Sequence, residues 1–211
     1  NSLDQNLRVG ANYNFNFNQL KVEPFKKNDS IFKGQYWKIL KVFNFNLLPT
    51  SFSLNTDILR LFNKQRFRQV GLSEDDIQIP ELFRRNYTFN MQYTLNYNIT
   101  DALRLNFSAS NNNIVRNYFV TDTDIQDPEL DIWDGFFDFG DPNIQSQQLG
   151  INYEIPLNKI PVLSFLNATY AYTGNFQWTK GSDLYENLIV DGVNYNLGNS
   201  IQNSNTHNLN T

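Results

Sequence analysis

The sequence contains no cysteine, one methionine and a single histidine, His207. Without thiols there is neither a disulfide framework nor a thiolate metal site. With one imidazole, neither a His-based metal centre nor a nucleophile–histidine relay can be assembled within the chain. Glycine-rich phosphate loops are also missing; Gly135 and Gly140 flank aromatic residues instead. Lys and Arg number 17 against 21 Asp and Glu, a balance that lacks the basic footprint of a nucleic-acid binder. No apolar run approaches the roughly 20 residues of a transmembrane helix. No signal peptide is visible at Asn1-Ser2-Leu3-Asp4, and no initiating methionine is present. No catalytic, cofactor-binding or metal residue is expected, and an enzyme has little support.

What is abundant is asparagine, beside 18 Phe and 11 Tyr. Asparagine is a poor helix former and is depleted in ordinary strands, so its abundance needs a reason. The segment from Tyr87 to Ile99 supplies one. Tyr87, Phe89, Met91, Tyr93, Leu95, Tyr97 and Ile99 are apolar or aromatic, and Asn90, Gln92 and Asn96 are among the uncharged polar residues between them. Successive side chains of a strand point to opposite faces, so this stretch has one apolar and one polar side. About 13 residues at ~3.3 Å each, tilted by about 45°, rise roughly 30 Å, close to the hydrocarbon thickness of a bilayer. A membrane-spanning β-barrel is the expectation. The negative mean hydropathy does not oppose it, because barrel strands average their two faces.

The alternation recurs along the chain and predicts strands at about 7–18, 43–60, 85–99, 103–118, 144–155 and 162–179. Leu103, Leu105 and Phe107 alternate with Arg104 and Asn106, and the three-residue link Thr100–Ala102 puts Ile99 and Leu103 on one face, as an antiparallel hairpin requires. Further on, Asn152 and Glu154 oppose Ile151 and Tyr153, and Tyr170, Tyr172 and Trp178 share the apolar side of the last strand. The apolar sets are expected to face lipid, with Tyr87, Tyr172 and Trp178 near strand ends as an interfacial girdle. Asn90, Gln92, Asn96, Arg104, Asn106, Asn152 and Glu154 are expected to face a wet lumen. The in-strand charges Arg8, Asp57, Arg104 and Glu154 all fall on the polar side. A phase shift across Pro49 predicts a bulge or bend, 35–41 reads as a short surface helix or a strand approach, and the stretch after Lys180 reads as a loop to about Asn205. Pattern without closure at either end marks the chain as a piece of a larger, all-β wall.

A soluble β-sandwich also alternates, but its solvent face usually carries many Lys and Glu, whereas this one is mostly Asn, Ser, Thr and Gln. Connections alternate between short and long, as in outer-membrane barrels, except that Gln19–Val42 is long where a short turn is due. Asp122, Asp124, Asp127, Glu129, Asp131 and Asp134 could offer oxygen ligands to Ca²⁺ but lack EF-hand spacing; a solvated external loop is the plainer reading, as it is for Asp75-Asp76. Trp133, Phe136, Phe137 and Phe139 in the same loop either pack among themselves or meet a partner.

Several segments, in order, resemble the SprA/Sov family, the outer-membrane translocons of the type 9 secretion system. Phe43-Asn44-Phe45-Asn46-Leu47-Leu48-Pro49-Thr50 with Phe62-Asn63 is similar to that family's FNFNPLPT…FN segment. Tyr87 to Ala109 resembles its long hairpin, Asp127-Pro128-Glu129, Ile132-Trp133-Asp134 and Phe139-Gly140 match a loop pattern, Pro156-Leu157-Asn158-Lys159-Ile160-Pro161 resembles its PxNKxP turn, and Asn196 to Ser204 resembles NLGNTIQNS. The resemblance implies a wall segment of a very large transmembrane β-barrel in the bacterial outer membrane of a Bacteroidota-type cell, with a role in gliding motility and protein transport. It also implies outer-membrane lipid, secreted cargo proteins, a PorV-type shuttle and a periplasmic plug as partners, with no nucleic acid. A nutrient-transporter barrel and a surface sandwich or adhesin module are the competing expectations.

Overall fold

The computed structural model describes residues 2–26, 34, 38–68, 79–120, 125–182, 188–195 and 198–211. Its strands are β1 (Ser2–Asn16), β2 (Lys21–Val22), β3 (Phe45–Asn46), β4 (Ser51–Gln65), β5 (Leu82–Asn98), β6 (Leu103–Val115), β7 (Asp141–Ile155), β8 (Ala168–Thr179), β9 (Leu188–Val190), β10 (Val193–Tyr195) and β11 (Ser200–Asn210). One turn of helix, α1 (Lys38–Lys41), and two 3₁₀ turns at Leu157–Lys159 and Pro161–Leu163 complete the regular structure. Among the described residues no helix is long and apolar enough to cross a membrane, which says nothing of crossing by strands. The chain is all-β.

Seven strands form one sheet in the order β1-β4-β5-β6-β7-β8-β11, so each long strand lies beside the next long strand in the chain. This is an up-and-down meander. A Greek-key sandwich would instead return a later strand beside an earlier one by a long connection. The remaining sheets are the two-stranded pairs β2–β3 and β9–β10. Contacts divide the chain into two compact units: residues 1–11, 56–91 and 111–144, and residues 12–55, 92–110 and 145–211.

The first unit holds the larger part of the buried apolar core. Phe62 of β4, Tyr87 of β5 and Val115 of β6 meet Tyr118 and Ile132 from the β6–β7 connection, with Leu7, Phe83, Phe119 and Leu130 against them. In the second unit the β5–β6 turn is closed by Thr100, whose amide donates to the Leu103 carbonyl at 3.2 Å and whose hydroxyl accepts from the Ala102 and Leu103 amides. Lys21, Asn44 and Asn46 close on that turn. The Asn46 amide donates to the Ile99 carbonyl at 2.9 Å, the buried Asn44 side chain reaches Asp101, and Lys21 pairs with Asp101 at 2.6 Å. Of the long connection that broke the short-long rhythm, Lys21 reaches the short turn.

Three expectations differ from the structure. The strand foreseen at 43–60 is two pieces, because Pro49 supplies no amide to a ladder; β3 pairs with β2, and only β4 joins the large sheet. The strand foreseen at 162–179 begins at Ala168, since Pro161 opens a 3₁₀ turn over its start. The loop foreseen up to Asn205 contains β11, which pairs with β8 antiparallel from Ser200↔Thr179 to Asn210↔Thr169. Of 35–41, read as a short helix or a strand approach, the described part Lys38–Lys41 is helical; 35–37 lie outside the described residues, as do Asp75-Asp76, Asp122 and Asp124.

Candidate functional site: a neutral sheet face and a clamped loop

The polar face holds side chains that satisfy one another across strands. Asn112 of β6 donates to the Asn90 amide oxygen of β5 at 2.6 Å and accepts from Asn143 of β7 at 3.0 Å. A second relay runs from Gln148 of β7 through Asn175 of β8, 2.9 Å, to the Ser204 hydroxyl of β11, 3.1 Å. Asn96 of β5 donates to the Ser51 hydroxyl of β4 at 2.9 Å. A primary amide carries both donors and an acceptor, so neighbouring strands can be joined without charge. The charges that do occur are matched on adjacent strands: Arg8 with Asp57 at 2.9 Å and Arg104 with Glu154 at 3.4 Å. Gln92 opens on a groove of about 470 Å³ that Ser108, Ser146, Gln148, Asn175 and Gln202 help to line. Asn106 lies beside Gly150, and Asn152 is exposed.

The opposite side of the second unit carries the apolar set. Tyr93 and Phe107 meet across β5 and β6 with ring centroids 5.9 Å apart, and the Tyr97 hydroxyl donates to the Asn46 carbonyl at 2.6 Å. Leu95, Leu103, Leu105 and Ile99 are half-buried by their neighbours, and none of them is fully buried. Among the described residues no second sheet layer covers them. On β8, Tyr170 is hydrogen-bonded to His207 at 2.7 Å and Tyr172 donates to Asn205 at 2.9 Å. Trp178 stands opposite Ile201. His207 therefore orders an edge pair of strands, not a metal.

In the first unit the apolar side is not bare. Arg60 keeps phase with Ile58 and Phe62, and Arg85 with Tyr87, so both guanidiniums rise on the side expected to be charge-free. Arg60 is 1 % and Arg85 7 % exposed. Arg60 donates to the carbonyls of Ile132 at 2.9 Å, Asp134 at 2.7 Å and Gly135 at 2.5 Å. Arg85 donates to the Asp127 carbonyl at 2.9 Å, the Leu130 carbonyl at 2.7 Å and the Gln126 side chain at 3.1 Å. Ring faces take the rest of each cation: Tyr87 lies 4.8 Å from Arg60, and Phe62 lies 5.0 Å from Arg85. Tyr118 meets Tyr87 edge-on at 5.3 Å, and burial pushes its phenol above the ordinary value.

These contacts correct two expectations. Tyr87 does not face lipid: it is 1 % exposed, sealed between Arg60 and Tyr118 by the β6–β7 connection. The apolar phase is not free of charge, because loop carbonyls and ring faces replace the water that a guanidinium would lose. Phe89, one step along β5, lies 4.6 Å from Phe139 of the same connection, whereas Met91 is half-buried. The alternation contained a signal for this: two arginines in phase with aromatics.

The loop itself is tightly organised. Asp127, Asp131 and Asp138 accept from the amides of Glu129, Trp133 and Gly140, and Asp134 accepts from the Asp131 amide. Gly135 and Gly140 take positive φ angles of 57° and 65°. Its carboxylates therefore cap turns, and among the described residues no acidic or His cluster could hold a metal ion. No family model matches the chain, and no curated protein matches it.

Proposed function

We propose that the chain is a wall segment of a transmembrane outer-membrane β-barrel that conducts folded proteins, the translocon of the type 9 secretion system. The observation that carries the membrane reading is the single-layer meander whose apolar residues in the second unit have no second layer over them. A sheet face whose apolar side chains are only half-buried by their own neighbours marks an interaction surface, and lipid requires nothing of it but hydrocarbon. Both edges of the sheet, β1 and β11, lack a further strand among the described residues. Neither a lipid-facing wall nor a soluble protein leaves such edges open at low cost. Pairing with further strands of a larger barrel resolves both.

The assignment to protein conduction rests on the ordered resemblance to the SprA/Sov family, and the neutral face is compatible with it. Amide–amide and amide–hydroxyl relays keep that face wet, and pairing of Arg8 with Asp57 and Arg104 with Glu154 removes most of its field. A lining of this kind holds no cargo surface strongly, so a folded chain slides past. Deleting the parent gene and following secreted cargo at the cell surface tests the reading. Loss of secretion, restored by the intact gene, is expected; normal secretion would leave a nutrient-transporter wall as the better assignment.

A further inference from the structure

The aromatic tip of the β6–β7 connection is held rigid from below yet left uncovered. Trp133 is 59 % and Phe137 82 % exposed. The Trp133 and Phe136 rings lie 6.1 Å apart, and Phe137 meets Phe136 edge-on at 5.4 Å. Phe136 also covers the Arg60 guanidinium at 5.5 Å, so one ring of the cluster is fixed to the buried clamp. Backbone positions on both sides of Trp133 are fixed as well, by the Arg60 bonds to Ile132 and Asp134 and by Asp131 accepting from the Trp133 amide. Self-packing accounts for Phe136 but not for Trp133 and Phe137, whose larger part faces solvent.

The surround of the tip is of one sign. Residues 125–142 contain Asp127, Glu129, Asp131, Asp134, Asp138 and Asp141 and no Lys, Arg or His. Beneath them Arg60 and Arg85 are buried and bonded to carbonyls, and Arg60 attracts the Asp134 and Asp138 carboxylates, while Glu129, Asp131 and Asp141 are exposed around the tip. An acidic rim repels anionic lipid and anionic saccharide, and it favours a basic surface.

We infer that the Trp133–Phe137 tip is a preformed docking surface for a protein partner, one whose contact face is an apolar pocket bordered by Lys and Arg. Aromatic anchors dominate interface energetics, and a loop ordered before binding loses little entropy on binding. The inference stands on the first unit alone and holds whether the barrel carries proteins or nutrients.

A photo-crosslinking residue at position 137, and at exposed Glu129 as a second site, tests it in cells making the full-length protein. The expected result is crosslinking to one protein whose linked peptide lies within a Lys/Arg-bordered apolar patch. Trp133→Ala with the crosslinker retained is expected to lower the yield by about tenfold or more. Glu129→Lys with Asp141→Lys, neither of which bonds through its side chain within the described chain, lowers it further at low salt than at high salt. Crosslinks confined to lipid, saccharide or the chain itself would overturn the inference, as would a partner patch without basic residues or a yield indifferent to all three substitutions. The translocon reading fails separately: normal secretion in cells lacking the parent gene would reject it and leave this docking inference standing.

Discussion

At the scale of single residues, the two buried arginines decide what the loop does. A guanidinium presents a planar fork of donors, and Arg60 uses it to hold the loop carbonyls of Ile132, Asp134 and Gly135. Lysine has the charge without the fork. Arg60→Ala leaves the Ile132 and Asp134 carbonyls without that donor, while the Gly135 carbonyl keeps the Asn117 side chain and the Asp138 amide, and is expected to reduce local stability of the loop by about 2–4 kcal/mol. Amide exchange over 126–140, measured by mass spectrometry, should accelerate accordingly; Arg60→Lys should recover only a small part, and unchanged exchange in both variants would refute the clamp. Gly140 is a second sensitive point. At φ 65° with the Ile114 carbonyl where a Cβ would sit, it has no room for a side chain. Gly140→Ala is expected to cost on the order of 1–3 kcal/mol, seen as a lowered midpoint in thermal unfolding. None of this is legible from alternation alone, which reports which side of a strand a residue occupies and not what lies over it. Arg60 and Arg85 read as breaks in an apolar rhythm until the loop that covers them is seen.

At the scale of elements, legibility followed the chemistry of each strand. From Tyr87 to Tyr97 in β5 and from Leu103 to Phe107 in β6 every second residue is large and apolar, so the period of two was visible and the Thr100–Ala102 link fixed their common face. The reverse holds for β11. Its only large apolar residues are Ile201 and Leu209, and all of its residues are exposed. It is a strand because its backbone pairs with β8, with Tyr170–His207 and Tyr172–Asn205 bonds across the pair, not because one face seeks a core. Between 43 and 60 alternation continued through a chain break, since Phe43 and Phe45 alternate as well in a small hairpin as in a wall. The faces of β5, β6 and β7 can be tested directly, because the chain has no cysteine to confuse labelling. Single cysteines at Gln92, Asn96, Asn106 and Asn152 in the membrane-embedded protein should react with a charged maleimide. Those at Tyr93, Leu95, Leu105 and Phe107 should resist it but react with a lipid-soluble reagent. Equal labelling of the two sets would refute the assignment of faces. On the same face, Asn112→Leu severs the bonds to Asn90 and Asn143 and is expected to cost roughly 1–3 kcal/mol, read as a lowered unfolding midpoint in detergent.

At the scale of the whole molecule, the edges of the sheet make the strongest demand. β1 and β11 each offer a line of backbone donors and acceptors that no described strand satisfies on the outer side. Soluble proteins blunt such edges with prolines, inward-pointing charges or covering elements. β11 has no such protection, with neither proline nor a Lys, Arg, Asp or Glu; β1 contains no proline and exposes Val9, Tyr13 and Phe15, and its two charges, Asp4 and Arg8, are bonded sideways to Asn63 and Asp57 of β4. Edge protection is needed only where an edge persists, and in a closed barrel none does. The 211-residue chain made on its own is therefore expected to remain dispersed only with detergent or lipid, and to self-associate through β1 and β11 even there. Size-exclusion chromatography with light scattering reads the outcome. Replacing Asn14 on β1 by proline removes an outward ladder donor, since the Phe17 amide three residues on points inward to the Thr50 carbonyl, and should shift the population towards monomer. A compact, detergent-free monomer of the unmodified chain would mean that its apolar face and both edges are satisfied internally, and that outcome would reject the open-wall reading on which the translocon proposal stands.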